Sequence, residues 1–375
     1  MTKLNLKSLN LKNLKLSESS LIISLSAVLL GLIAGAIFIL MLGNNPFTAF
    51  AYLFRGGLMN IERIGNTLAT ATILLFVGLS VSFAFKTGLF NIGASGQMLI
   101  GGLCATYVAL CIPLPRPVML IVLILVAIIG GAVWGLFPGL LKALFNVHEV
   151  VSSIMMNWIA YWIVYYAVRL NLKAELIETE SRSIAEINTL RAHWLSSLFK
   201  SDYINYGIFL GIAGIFFLKI VLDKTTLGFE LKAAGYNKSA AEYAGIKVNR
   251  NIIFSMMIAG ALSGLAGLTY YAGYSLNMQI GVMPSQGFDG IAVALLGAGN
   301  SFGVALSAIF FGILHVGKGF MSANTTVPPE IADTIIAVII YFTATSLLLK
   351  RFWGKIDKFI KNMRAAKTAA DKSAN

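Results

Sequence analysis

Leu227–Arg250 reads LGFELKAAGYNKSAAEYAGIKVNR, a polar, basic, alanine-rich stretch set between two long apolar runs. It is too hydrophilic to lie in lipid and too regular for a plain linker, so it implies a surface that a partner grips. Glu230–Ala234 and Ser239–Ala244 are good helix formers, and Gly235 and Gly245 stand where short helices stop. The expectation is two short helices separated by a turn. Ala233, Ala240, Ala241 and Ala244 would let a partner approach closely, while Lys232, Lys238 and Glu242 would fix its register. A solvated connector is the plainer alternative.

The flanks decide the fold class. Of 375 residues, 57% are hydrophobic and 12% charged, with a mean hydropathy of +0.80. A helix needs roughly 20 apolar residues to cross a hydrocarbon core of about 30 Å, and runs of that length recur along the chain. Such continuous runs favour helices over the alternating segments of a membrane barrel. The chain therefore reads as an all-α polytopic membrane protein. Ten spans are expected, at 21–42, 66–85, 92–112, 118–143, 150–168, 203–222, 252–271, 287–296, 302–316 and 331–349. A cleaved secretory signal is disfavoured because the first run is too long and lacks a small-residue cleavage site.

Charge sets the expected orientation, since Lys and Arg collect on the cytoplasmic side. Residues 350–375 hold eight basic and two acidic residues and read as a basic cytoplasmic tail. Residues 1–20 carry Lys3, Lys7, Lys12 and Lys15 against Glu18, a basic segment suited to the inner membrane surface. Both termini then lie inside, which ten spans permit. Residues 223–250 fall on the same side, as a cytoplasmic loop with five basic and three acidic residues. Residues 170–202 fall outside, as an extracytoplasmic loop. The 21–349 core is the transmembrane domain. The overall charge of +13 is then chiefly a topology signal, and nucleic-acid binding is a poor second reading.

Several chemistries find no support. His148, His193 and His315 are scattered singly, and no His, Cys and carboxylate set has metal-ligand spacing. Cys104 and Cys111 share a helical face too far apart to bridge. No phosphate-binding loop is present, and the glycine-rich run Gly297–Gly303 misses dinucleotide spacing by one residue. Acids buried in spans would suggest ion coupling, but only Asp289 and Asp333 come near, both close to span ends. Any energy source must come from another subunit.

A solute path needs polar groups among the apolar spans. Asn91, Ser95 and Gln97, beside Gly93 and Gly96, supply them in the third span and allow a broken helix. Asn157 lies deep in the fifth. Asp289, Asn300 and Ser301 repeat the mixture later, where Gly287-Phe288-Asp289-Gly290 loosely echoes Gly88-Leu89-Phe90-Asn91. The echo would suit a five-plus-five inverted repeat. Each of these side chains could equally hold helices together. The pairs Gly31/Gly35, Gly131/Gly135, Gly207/Gly211 and Gly260/Gly264 read as helix packing. The cluster Trp158, Tyr161, Trp162, Tyr165 and Tyr166 reads as an interfacial belt before a ring-stacking site.

The quoted loop, through Gly228, Glu230, Ala233, Gly235, Asn237, Ala240, Ala241 and Gly245-Ile246, resembles the coupling loop of bacterial ABC permeases of the simple-sugar and branched-chain amino-acid superfamily. Gly88-Leu89-Phe90-Asn91-Ile92-Gly93 with Gly96-Gln97, and Glu149 to Asn157, extend the resemblance over roughly 60–350, closest to the nucleoside-uptake branch. His148 departs from that branch, which more often has asparagine there. The resemblance implies an inner-membrane permease without its own ATPase, importing a nucleoside by alternating access. It also implies an ATPase with two nucleotide-binding domains that uses ATP and Mg, a second homologous permease forming a heterodimer, and an extracytoplasmic binding lipoprotein. Coupling would fall to Gly228, Glu230, Lys232, Ala233, Gly235, Asn237, Ala240, Ala241, Glu242 and Gly245. Simple sugars such as ribose or galactose are the alternative substrates, and an ion-coupled secondary transporter is the alternative class.

Overall fold

The computed structural model describes residues 20–175, 177–345 and 348–355. The expected N-terminal segment, apart from Ser20, and tail residues 356–375 lie outside the described residues. The described chain forms α1 (Ser20–Met41), α2 (Pro46–Leu58), α3 (Ile61–Lys86), α4 (Ala94–Cys111), α5 (Arg116–Phe145), α6 (Glu149–Ala167) and α7 (His193–Phe199). There follow α8 (Gly207–Lys224), α9 (Thr226–Tyr236), α10 (Lys238–Tyr243), α11 (Val248–Thr269), α12 (Gln286–Leu296), α13 (Ser301–Asn324) and α14 (Glu330–Ala344). Wider π turns extend α6 over Val168–Leu172 and α11 over Tyr270–Ser275. Among the described residues there are only isolated β-bridges and no strand. The fold is all-helical, as expected.

The expected ten spans are too many. Among the described residues seven helices are long and apolar enough to cross a membrane, or eight if α14 and Leu348–Lys355, which meet at a bend of 69°, form one span. The physical reasons differ. The apolar run of α8 ends in a stretch that carries Lys219, Asp223 and Lys224 within its 18 residues. α12 has 11 residues, about 16 Å of helix against a core of about 30 Å. α14 stops after 15 residues. Helices α2 and α7 were not anticipated. Asn45 caps α2 ahead of Pro46 by accepting a hydrogen bond from the Phe47 N–H, 2.9 Å.

Packing is organised around α3 and α11, which lie against each other. Every residue of α3 from Ala71 to Ala84 is buried, in keeping with a sequence apolar on all sides. α3 packs on α12 and α13, and α11 packs on α4 and α5. The second contact is made by glycines: Gly131 lies against the Gly260 and Gly264 backbone, and Gly135 against Met256 and Gly260. The two small-residue pairs read from the sequence thus meet each other, letting the backbones approach. Likewise Gly31 and Gly35 of α1 sit under Ile339 and Ile335 of α14.

One end of the bundle gathers the ends of the described chain and the α9–α10 loop. Ser24 donates to the Leu296 carbonyl at 2.9 Å, and Trp353 Nε1 donates to Ser26 Oγ at 2.9 Å. Gly299, just past α12, adjoins the Lys86 side chain, and Gly235 of α9 adjoins the Lys86 backbone. This is the loop end. At the far end, residues 173–175 and 177–206 fold back over the π turn of α11. Arg191 donates to the Gly273 and Tyr274 carbonyls, both 3.1 Å, while Asn277 and Gln279 donate to Glu180 at 2.6 and 2.9 Å.

Candidate functional site

The loop folds into two short helices, with one change from expectation. α9 runs through Gly235 to Tyr236, and the break falls at Asn237, whose side chain accepts from the Ala240 N–H at 3.1 Å and starts α10. Gly235 instead permits close approach: a side chain there would strike the Lys86 carbonyl. Gly228 plays the same part where α8 reverses into α9, against the Val221–Leu222 backbone. Gly245 does follow α10 with φ at +81°, a conformation that suits glycine.

The expected gripping residues divide into two sets. Ala241 is buried with Ala234 against Val248, Ile252 and Met256 of α11, with Ala233 packed beside them, so these alanines hold the loop to its own bundle. Glu230 accepts from Asn251 and Arg250, each at 3.0 Å, and Lys232 pairs with Asp223 at 2.9 Å. The Asn251 hydrogen bond, joined by that of Arg250, holds the Glu230 carboxyl below its ordinary range. A depressed pKa means this tie is present above the ordinary carboxylate range and is lost only as pH falls through the lowered value. Asn237, Lys238, Ala240, Glu242, Ala244 and Gly245 remain exposed. Sequence reasoning missed the largest exposed groups: Phe229, Tyr236 and Tyr243, at 70%, 91% and 96% exposure. Tyr236 and Tyr243 stand seven residues apart in the quoted stretch, a spacing that could have singled them out. Exposed aromatics of this kind anchor protein interfaces.

The non-helical segment 87–93 between α3 and α4 carries a buried polar network that reaches Ser80 of α3. Asn91 Nδ2 donates to Gln97 Oε1 at 2.9 Å and to Ser80 Oγ at 3.2 Å, while Asn91 Oδ1 accepts from Gly93 N and Gln97 Nε2 at 3.1 and 3.2 Å. Ser80 donates to the Ala259 carbonyl at 2.6 Å and lies 2.9 Å from Ser263 Oγ. Asn157 accepts from Gly96 N at 2.9 Å and donates to the Ile92 carbonyl at 3.0 Å. Ser95 donates to the Pro284 carbonyl at 3.2 Å. Asn91, Ser95, Gln97 and Asn157 are thus brought together and bonded within the protein, the arrangement buried polar groups require.

The other three expected path residues lie apart. Asn300 caps α13 by accepting from Phe302 N at 3.1 Å, with Ser301 beside it, at the loop end. Asp289 of α12 faces His315 of α13, Oδ2 to Nε2 3.4 Å, both side chains 17% exposed. Neither of these two atoms has a hydrogen-bond partner of good geometry among the described residues.

Above the network, toward the far end, lies a polar cavity of about 540 Å³, within the usual range for small-molecule clefts. Arg63, Asn66 and Thr70 of α3 form one wall; His315 and Lys318 of α13 another; Ser285 and Gln286 its base. Since Pro284 and Gly287 rest on Ser95, the base of the cavity sits directly on the polar network. Three tyrosines line the remaining side. Tyr203 stacks on Tyr274 with ring centroids 4.6 Å apart, and Tyr274 stacks on Tyr270 at 5.9 Å and 12°. Tyr270 is turned toward Gln286 and Tyr274 toward Thr70. The π turn of α11 supplies two of these rings, and such turns often mark functional sites. Nothing in the sequence reading named this cavity, although Tyr270-Tyr271-Ala272-Gly273-Tyr274 at the end of a span was the available signal. The aromatic residues of α6 are elsewhere, with Trp158, Trp162 and Tyr166 exposed on the outside of the bundle.

One helix therefore carries all three features: the cavity near its start, the network at Ser80, and the loop contact at Lys86. Such an arrangement can admit a polar solute at one end, close beneath it, and receive a push at the other.

Comparison with known proteins gives these features a context. The nucleoside ABC transporter permease protein NupB of Lactococcus lactis subsp. cremoris is 36% identical over 94% of this chain and 98% of its own length. The guanosine ABC transporter permease protein NupP of Bacillus subtilis is 38% identical over 91% of this chain and 97% of its own length. The glucose ABC transporter permease protein TsgB13 of Haloferax volcanii is 30% identical over 87% of each chain. No solved structure matches. Residues 63–344 match the family described as branched-chain amino acid transport system / permease component, and from α3 through α14 the chain belongs to that family of membrane permeases.

Proposed function

We propose that this chain is the transmembrane permease subunit of an ATP-driven importer for nucleosides. The observation that carries the substrate is the alignment of permeases named for nucleosides and guanosine along more than nine-tenths of this chain, 94% and 91%. The chain itself forms the path and hydrolyses nothing. ATP and Mg are used by a partner ATPase with two nucleotide-binding domains, which grips the α9–α10 surface. A second, homologous permease completes a heterodimer, and an extracytoplasmic lipoprotein delivers the solute over the 170–202 loop.

The loop end is assigned to the cytoplasm and the far end to the outside of the bacterial inner membrane. Support comes from the basic residues Lys350, Arg351 and Lys355, which follow α14, and from Trp353 and Ser26 meeting at the end where the loop lies. The cavity then opens outward, and closure of the ATPase would move Lys86 and α3 through Gly235. An inverted repeat fits the packing: α3 lies on α12 and α13 as α11 lies on α4 and α5, and the two central helices touch at Ser80 and Ser263.

The test is uptake into ATP-loaded proteoliposomes containing the complex purified with this chain from its native membrane. Radiolabelled guanosine, uridine and ribose are offered separately, with the binding protein outside. Accumulation of nucleosides that requires internal ATP is expected. The glucose permease among the relatives gives the sugar reading a footing, and accumulation of ribose alone would establish it. Uptake that follows an ion gradient without ATP would replace both readings with a secondary transporter.

A further inference from the structure

The tyrosines of the cavity are arranged in a way that a simple water-filled path does not require. Tyr203, Tyr274 and Tyr270 form a continuous stack from the outer loop to the base, at centroid spacings of 4.6 and 5.9 Å. These spacings leave no room for another ring between them. A planar solute would instead extend the stack at an end, first on Tyr203, a residue 41% exposed, and then beside Tyr270 at the base. Two carboxamides stand in the same cavity, Asn66 on α3 and Gln286 on α12. Ser201 donates to the Asn66 oxygen at 2.5 Å, which fixes that carboxamide with its NH₂ group free to donate. Carboxamides match the alternating donors and acceptors on the edge of a nucleobase, and an aromatic ring supplies a stacking face to any base.

We propose that this cavity is a base-reading site, in which the nucleobase stacks on the Tyr203–Tyr274–Tyr270 ladder and its polar edge meets Asn66 and Gln286. The permease thereby contributes to selection of the solute and does not leave it wholly to the delivering protein. A sugar without a base has no planar face to stack and gains little from the ladder. This inference rests on the nucleoside reading above and names the residues that would enact it.

The experiment uses the same reconstituted complex and measures KM and maximal rate for guanosine, adenosine and uridine. Each variant is accepted only if it is recovered in the complex with the ATPase. Loss of one stacking ring corresponds to about a tenfold or greater weakening, so Tyr203→Leu, at the exposed end of the stack, should raise the KM for all three nucleosides by that factor. Tyr203→Phe, which keeps the ring, should restore it. If Tyr203→Leu is not recovered, Tyr270→Leu at the base of the stack serves instead. Gln286→Met, similar in size but without the amide, should change the order of preference among the bases. Nucleoside uptake with wild-type KM and wild-type preference in the Leu and Met variants overturns this inference alone. A wild-type complex that carries ribose and no nucleoside overturns the functional reading and this inference with it.

Discussion

Asn91, expected to line a solute path, is bonded on every side within the protein. From sequence, an asparagine between two apolar spans can line a channel or hold helices together. In the structure its carboxamide bonds to Ser80, Gln97 and the Gly93 N–H at once, and it is fully buried. Truncation leaves those partners without water or replacement, at about 1–3 kcal/mol for each group orphaned. Asn91→Ala should therefore lower the thermal midpoint of the purified protein distinctly. Asn300→Ala, which removes only a helix cap worth about 1 kcal/mol, should lower it less. If Asn91→Ala keeps the wild-type midpoint yet loses uptake, the residue belongs to the path and the structural account is wrong. The residue types at 91, 95, 97 and 157 were legible in the sequence, but their mutual bonding was not, because it depends on the packing of α6 on α4, which brings Asn157 against Gly96.

At the scale of the element, the α9–α10 pair divides its residues by the side they face. Of the alanines expected to face a partner, Ala240 and Ala244 are exposed, yet Ala241, together with Ala234, faces the protein's own α11, because a short amphipathic helix buries its small apolar side on the nearest apolar support. The charges nearest the helix roots, Glu230 and Lys232, are likewise engaged within the chain. The largest groups that remain outward are aromatic, Phe229, Tyr236 and Tyr243. The sequence revealed the two helices and their approximate limits, since propensity and capping act locally. It did not reveal which side each would present, because that depends on where the ends of α3 and α11 lie. Tyr243→Ala should weaken association of the separately purified ATPase, with about 2 kcal/mol or more lost if the ring is an interface anchor, roughly thirtyfold in affinity. The fold should be untouched, as the residue is 96% exposed. Titration of the ATPase onto the permease in lipid nanodiscs measures this, and an unchanged affinity would remove Tyr243 from the interface.

For the whole molecule, hydropathy identified the class and most of the helices but overcounted the spans. Windows of apolar residues do not register that Lys219, Asp223 and Lys224 crowd the end of α8, or that α12 ends after eleven residues. The cavity escaped notice for a related reason: Tyr203, Asn66 and His315 are distant in sequence and meet only when α3, α11 and α13 pack. Charge distribution is the remaining whole-chain signal, and it makes a prediction that the span count cannot. With Cys104 and Cys111 replaced by alanine, single cysteines are placed at Glu178, in the far-end loop with its side chain 79% exposed, and at Tyr243. A membrane-impermeant maleimide added to intact cells should label Glu178→Cys and spare Tyr243→Cys, which should react only after the membrane is opened. The reverse pattern would put the α9–α10 surface outside, where no cytoplasmic ATPase could reach it. The coupling proposal would then fail however many helices cross the bilayer.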